Sequence, residues 1–368
     1  MATITDVARE AGVSVATVSR VFNDSELVRP ETRRRVRDVA DRLNYWPNAV
    51  ARSLTTNRTN TLGVLLPELH GEFFSAVIRG IDRAARQEGL HLLVSSSHAD
   101  TGELLSALRT MRGRIDGLIV MAPDVDAPAA LRTSAGTTPM VLLDPEREVE
   151  GCDSLSIANY EGAFALTRHL LEAGHRRIAM ITGPEGNADA RERFEGYRAA
   201  LAQGGGVVAR ELQVRGDFTE PSGHAAARAL LGLERKPTAI FAANDYMAVG
   251  VMRALNEAGV GVPDEMAVAG FDDIEMTRYL SPPLTTVRVD TFHLGERAVH
   301  LLLGAIRAAG AGEPHRHHHE TLRTSLVVRA SSGPALTAGA RLIRENDAAA
   351  AKDSGKEPST GKFRRSRS

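Results

Sequence analysis

Thr3-Ile4-Thr5-Asp6-Val7-Ala8-Arg9-Glu10-Ala11-Gly12-Val13-Ser14-Val15-Ala16-Thr17-Val18-Ser19-Arg20 stands near the start of the chain and reads as two short helices joined by a tight turn. Thr3 and Asp6 have the spacing of a capping box, in which each side chain satisfies an orphan backbone N–H of the first turn. Val7, Ala8 and Ala11 recur at helical spacing and form one apolar face. Gly12 supplies the left-handed conformation that stops this helix. Ser14 then caps a second helix that turns Val18 and Val21 inward. Its outward face is Val15, Ala16, Thr17, Ser19 and Arg20, small or hydrogen-bonding apart from the arginine. Such a face suits close approach to base edges in a DNA groove. The two helices alone also fit an ordinary hairpin in a bundle, so the residues that follow decide.

A third helix starts at Pro30, a residue favoured at the first helical position, and runs to Leu43. Val36, Val39, Ala40 and Leu43 form its inner stripe and close a three-helix core. Pro47 interrupts it, and Asn48 caps a short fourth helix reaching about Thr55. That helix has few apolar residues and nothing local to pack on, and isolated helices this short barely form in water. It is expected to need a partner to exist.

The stretch DVAREAGVSVATVSRVFN (6–23), with ETRRRV (31–36), LNYWPN (43–48) and AVARSL (49–54), closely resembles the headpiece of the lactose/galactose-repressor (LacI/GalR) family of bacterial transcription regulators. The resemblance implies DNA contacts from Val15, Ala16, Thr17, Ser19, Arg20, Asn23, Ala51 and Leu54. It also implies that Leu54 wedges into a central base step from the minor groove. A pyrimidine–purine step, CG, is expected there because such steps unstack most easily. A two-fold symmetric homodimer would read double-stranded operator DNA as an inverted repeat.

Length and charge fit that reading. At 368 residues the chain exceeds one typical domain, and 43% hydrophobic residues suffice for sizeable cores. Residues 1–60 carry ten arginines against seven carboxylates, while the whole chain has net charge −1, so a basic head precedes an acidic body. The run Arg33-Arg34-Arg35 alone fits a solvated helix face equally well. The single cysteine, Cys152, excludes a disulfide framework and fits a reducing compartment. No signal pattern and no apolar run of membrane-spanning length occurs, so a cytoplasmic protein without a membrane partner is expected.

From residue 61 short apolar runs alternate with helical segments. Strands are expected at 62–66, 91–95, 117–121, 140–143, 178–182, 239–243 and 267–271, and helices at 73–88, 161–173, 193–203 and 246–258. Near-continuous apolar strands alternating with helices imply parallel sheets covered on both faces. The expected organisation is a headpiece at 1–46 and a hinge at 47–60. A core at 61–333 follows, with lobes 61–160 plus 289–320 and 161–288 plus 321–333, and then a disordered tail at 334–368.

In this core the resemblance rests on GHRRIAMITGP (174–184), RFEGYRAAL (193–201), AIFAANDYMAVGVMRAL (239–255), VAGFDD (268–273) and PPLTTVRV (282–289). It implies the α/β two-lobed, type I periplasmic-binding-protein architecture with an effector cleft between lobes. Ligands in such folds sit at the carboxyl ends of parallel strands and at domain junctions. By motif position, Arg193 and Asp272 correspond to the regular effector contacts, and Asn244 and Asp144 to further polar ones. Phe73, Phe74 and Phe218 correspond to wall residues, and Asn187 and Asp189 to contacts that vary with the ligand. Carboxylates and amides there suit the hydroxyls of a carbohydrate effector. Asp245 and Asp273 are read as caps of following helices, and Val289 is apolar where a relative places a polar contact.

His315, His317, His318 and His319 are read as a solvated loop before a last strand at 324–329, because no carboxylate or cysteine visibly completes a ligand set. No cofactor or metal is expected. Gly204-Gly205-Gly206 lacks the strand before it and the lysine after it that a phosphate loop needs. No nucleophile or acid–base pair occurs in a supporting context, which weighs against an α/β enzyme, and the headpiece weighs against an exported solute-binding protein. A ligand-responsive DNA-binding regulator, expected to be a repressor, explains the headpiece, the short hinge helix and the lobes.

Overall fold

Thr3 caps the first helix: its hydroxyl accepts the Asp6 N–H at 3.3 Å, and the Asp6 carboxylate accepts the Thr3 N–H at 3.0 Å. The computed structural model describes residues 2–22, 27–46, 58–98, 100–121 and 136–333. Helices α1 (Ile4–Glu10), α2 (Val15–Phe22) and α3 (Pro30–Arg42) enclose Val7, Ala8, Ala11, Val18, Val21, Val36, Val39 and Ala40. Gly12, at φ 63°, makes the left-handed turn between the first two. Ser14 Oγ accepts the Thr17 N–H at 3.1 Å, the expected second cap.

The core begins with β1 (Thr61–Leu66), α4 (Glu72–Gln87), β2 (His91–Ser96), α5 (Thr101–Met111), β3 (Gly117–Met121), β4 (Met140–Leu143) and β5 (Asp153–Ile157). The chain then passes through α6 (Asn159–Glu172), β6 (Ile178–Thr182), α7 (Ala188–Gly204), β7 (Gln213–Arg215), α8 (Glu220–Leu231), β8 (Ala239–Ala242), α9 (Asp245–Glu257) and β9 (Ala267–Ala269). It closes with β10 (Thr286–Arg288), α10 (Thr291–Ala311), β11 (His319–Leu322) and β12 (Ser325–Val327). The first sheet is parallel in the order β11-β5-β4-β3-β1-β2 and the second parallel in the order β7-β6-β8-β9, with an antiparallel β10-β12 pair beside it. Strand order reverses at β1/β3 and at β6/β8, the two places where such sheets open a crevice.

The chain crosses between sheets three times, at residue 158, at 289–290 and at 323–324. The last crossing falls after 322 rather than at 320, because Glu320, Thr321 and Leu322 pair in register with Leu155, Ser156 and Ile157. The expected terminal strand at 324–329 is therefore β12 alone, with β11 in the other sheet. β5 escapes sequence detection because Asp153-Ser154-Leu155-Ser156-Ile157 is polar, yet Asp153 and Ser154 are buried. Helices α5, α8 and α10 also lack an expected counterpart.

Helix pairs clamp both sheets through glycines. A Cβ at Gly250 would lie 2.0 Å from the Glu220 carbonyl oxygen, and one at Gly80 would lie 2.0 Å from that of Phe292. Backbone cannot yield as a side-chain tip does, so Gly250→Ala is expected to destabilise the core by about 2–3 kcal/mol. Urea unfolding checks this, and a loss below about 0.5 kcal/mol would contradict the close approach of α8 and α9.

Candidate functional site

The β6/β8 reversal places the second sheet's crevice beside Ala243, just beyond β8. Arg193, on the second turn of α7, is 3% exposed and donates through Nη1 to the Ala243 carbonyl at 2.7 Å and through Nε to Asn159 Oδ1 at 2.8 Å. Its guanidinium lies over the Phe271 ring at 3.9 Å, with Phe218 at 5.9 Å on a flank. Planar stacking and fixed donors leave it one orientation.

Asp272 faces it. The Arg193 Nη1–Asp272 Oδ1 distance is 3.4 Å. Nη1 directs its hydrogen bond to Ala243, and its contact with Asp272 is an ion pair that leaves Oδ1 buried without a hydrogen-bond donor. Asp272 and Asp273 adopt φ 112° and 56°, uncommon for non-glycine residues. What holds them there is a network from the supporting elements. Asp245 accepts Thr286 Oγ1 at 2.7 Å and the Ile274 N–H at 3.0 Å, while Asp273 pairs with Arg288 and Arg329. Asp245 is thus a fastener of the GFDD loop rather than a cap, since Asn244 caps α9 by accepting the Met247 N–H at 3.0 Å. Asp273 likewise serves ion pairs first, adding one contact from Thr277 in the short turn that follows.

Across the cleft, Asp144 follows β4 at φ 49° and accepts the Ile157 N–H at 2.9 Å. Asn159 Nδ2 bridges it, at 3.5 Å, to Asp189 at 3.3 Å. Asn159, fully buried, therefore connects Asp144, Asp189 and Arg193, and sequence reasoning missed it. Its only signal is position, one residue past the first crossing. Asn187 caps α7 through the Ala190 N–H at 2.9 Å, and Asn244 Nδ2 donates to the Phe218 carbonyl at 3.0 Å. Each amide proposed from motif position thus has backbone work of its own. Phe218, at φ 69°, lies flush on the loop after β6, where a Cβ at Gly183 would meet its ring at 2.4 Å. Phe73 and Phe74 stand on the first turn of α4, half-buried and edge to face with centroids 5.3 Å apart. The mouth is bridged by Arg191–Glu146 at 2.9 Å and by the Glu72 N–H to Tyr246 Oη at 2.8 Å.

Burial raises the carboxyl pKa of Asp144, Asp245 and Asp272. Asp144 is pushed well up by desolvation and then by Asp189, and Asp245 by desolvation and then by Asp272. Asp272 is pushed up to about 7 by desolvation, opposed by Arg193. The folded form thus binds a proton between the ordinary 3.8 and about 7 that the unfolded chain has lost. This contribution to stability is fully present below the unfolded value and is lost as pH rises through the folded one. The unfolding free energy of ligand-free protein should therefore fall as pH rises from about 4 to about 7, by about 1.4 kcal/mol per pH unit per proton, with the melting temperature following it, and this component should level off above 7. Asp272→Asn should flatten that component, and an identical slope in the variant would count against it.

On the headpiece, Val15 is 42% exposed, Ala16 and Arg20 are exposed, and Thr17 and Ser19 are half-buried on the outer face of α2. Thr17 Oγ1 lies 2.9 Å from Ser14 Oγ. Asn23, Ala51, Leu54, the fourth helix and the tail at 334–368 lie outside the described residues. Where the linker reaches the core, Asp116 accepts Thr59 N–H at 2.6 Å, Thr59 Oγ1 at 2.8 Å and Asn60 N–H at 2.7 Å, an anchor no motif announced. The histidine tract also departs from expectation. A carboxylate does stand among these rings, because β5 carries buried Asp153 to His315 Nε2 at 2.8 Å. That residue is distant in sequence, so the pairing is visible only in the sheet. No helix among the described residues is long and apolar enough to cross a membrane.

The description "Bacterial regulatory proteins, lacI family" matches residues 3–48, and "Periplasmic binding protein-like domain" matches residues 167–332. The chain is 35% identical over 333 residues to the HTH-type transcriptional repressor PurR of Photobacterium profundum, spanning 90% of this chain and 98% of that one. It is 38% identical over 308 residues to the ribose operon repressor of Escherichia coli, spanning 83% and 93%. Its fold is similar to that of the lac repressor dimer bound to operator and the anti-inducer ONPF, with TM-score 0.81, 32% identity and coverage of 90% and 99%. These relatives are transcriptional repressors, not enzymes. A capped helix-turn-helix joined to a two-sheet effector core places this chain in the lacI family of bacterial regulatory proteins.

Proposed function

We propose that the chain works in the cytoplasm as a homodimer on an inverted-repeat operator, and that a neutral carbohydrate in the inter-lobe cleft changes its operator affinity. The observation that carries the ligand class is Asp272 Oδ1, buried without a donor beside a fixed Arg193. A sugar hydroxyl can donate to that oxygen while a neighbouring ring oxygen or hydroxyl accepts from the guanidinium. Asp144, Asp189 and Asp272 face one arginine, which disfavours an anionic ligand such as a sugar phosphate. Phe218, Phe73 and Phe74 supply apolar walls for ring faces. Asn187 and Asn244 shape the site by holding α7 and α9 in place.

Thermal shift of ligand-free protein against pentoses, hexoses, polyols and nucleobases tests this. A ligand present at a hundred times its Kd should stabilise the fold by about 2.7 kcal/mol. Stabilisation by nucleobases alone would overturn the carbohydrate reading while leaving the regulator intact.

Signal transfer to DNA runs through the junction that Asp116 anchors. The hinge at 48–55 orders when two copies pair over the minor groove, and lobe angle sets the ease of pairing, a coupling of about 1–3 kcal/mol. Leu54 supplies the wedge at a central CG step. Leu54→Ala should reduce operator bending without altering the core, as read by mobility of circularly permuted operator fragments. Equal bending by both proteins would rule out the wedge.

A further inference from the structure

The first residue of β5 is an acid with no access to solvent. Asp153 Oδ2 accepts His315 Nε2 at 2.8 Å, Oδ1 accepts the His318 backbone N–H at 2.7 Å, and His317 Nδ1 stands 3.8 Å from Oδ1. One ligand atom from each of Asp153, His315 and His317 lies within 4.8 Å of the others. His315 and His317 are two apart on the segment joining α10 to β11, and their ring centroids stand 5.0 Å apart. Their side chains are 19% and 34% exposed, which leaves the cluster open on one side. It is open to a cavity of about 250 Å³, lined by both rings together with Cys152, Glu313 and the backbone around Gly136 and Gly151.

We propose that Asp153, His315 and His317 bind a divalent transition-metal ion of zinc's class, with the fourth position taken by water from this cavity. Two imidazoles and one carboxylate are a ligand set suited to zinc, cobalt or nickel, whereas magnesium and calcium prefer oxygen alone. Tetrahedral coordination with bonds of about 2.0–2.1 Å sets ligand atoms roughly 3.4 Å apart. One ligand atom from each of the three residues already lies within 4.8 Å of the other two, so rotations of the two imidazoles and the carboxylate that bring them about 1 Å closer complete the site. One supporting contact is present, the His318 N–H, which orients the carboxylate. The ion would tie the α10–β11 connection to β5 at the amino-terminal edge of the first sheet. That edge also receives the linker at Thr61, three strands away in the order β5-β4-β3-β1. This place is at the opposite end of the strands from Asp144 and the effector cleft.

The test uses tag-free full-length protein, stripped with chelator, dialysed, and titrated with zinc chloride and with cobalt chloride. Uptake should saturate at one ion per chain, cobalt should give the visible absorption of a tetrahedral site, and zinc should raise the melting temperature. His317→Ala, on the exposed segment, should weaken zinc binding by at least about 100-fold and abolish the thermal shift. Asp153→Asn should do the same, and His98→Ala should leave uptake unchanged. His70 and His98 also share a carboxylate, flanking Glu68 at 3.2 and 4.0 Å. Failure of the wild type to take up a stoichiometric ion would reduce the cluster to a fastening of the loop. Wild-type uptake by His317→Ala would place the ion elsewhere, and either result overturns the assignment.

Discussion

In operator titrations, Arg193→Ala is expected to lose its response to effector, with effector affinity reduced by about 100-fold or more. The guanidinium offers charge-assisted hydrogen bonds, worth about 1.5–3 kcal/mol each, and its two internal bonds to Asn159 and Ala243 aim it. The same substitution leaves Asp272 buried and unpaired, so a stability loss of about 3–5 kcal/mol accompanies it. Asp272→Asn separates the two effects. The amide removes a carboxylate that burial already pushes up to about 7, so folding should hold steady while effector affinity falls about 10- to 100-fold. Ligand-free operator affinity should stay within about threefold for this variant, since the coupling acts only through differential binding. The measurement is operator affinity with and without the sugar identified by thermal shift, beside melting curves for each protein. Response of Asp272→Asn at wild-type sugar concentrations would remove these residues from the site even with the family assignment intact.

The headpiece carries the second large effect. Arg20 is exposed on the outer face of α2, beside Val15 and Ala16, which offer only apolar contact suited to a thymine methyl. An arginine there reaches guanine O6 and N7 together. Arg20→Ala should cost about 1–3 kcal/mol per half-site and, counted twice in a dimer, weaken the operator complex by roughly 30-fold to 20,000-fold. The loss should be accompanied by relaxed preference at one base pair in each half-site. Binding-site selection with both proteins reads this directly. An unaltered preference, or a direct repeat in place of an inverted one, would refute the docking.

How much of this was legible follows from the range of the interactions. The headpiece was readable almost entirely, because caps, turn glycine and apolar stripe act within a few residues: Thr3 with Asp6, Gly12, and Ser14 with Thr17 all behave as their spacing implies. Apolar strands such as β3 and β4 match their expected bounds because a strand buried on both faces must be apolar along its length. β5 was missed for the converse reason, its Asp153 and Ser154 being buried by partners far away in the chain. Arg193 and Asp272 were named through a resemblance, but their 3.4 Å separation and the orphan oxygen belong to the folded cleft.

By itself the sequence determined local matters: which segments are helical, where they stop, which faces are apolar, and that a basic head precedes an α/β body. Tertiary structure alone decided which polar groups meet. Asn159 joins three cleft residues, Asp116 anchors the linker, Asp245 fastens the GFDD loop, and Asp153 meets the histidine tract. The physical reason is the same in each case. A buried carboxylate or amide must find partners, and the fold brings those partners from 15 to 165 residues away, beyond any periodicity a chain can display.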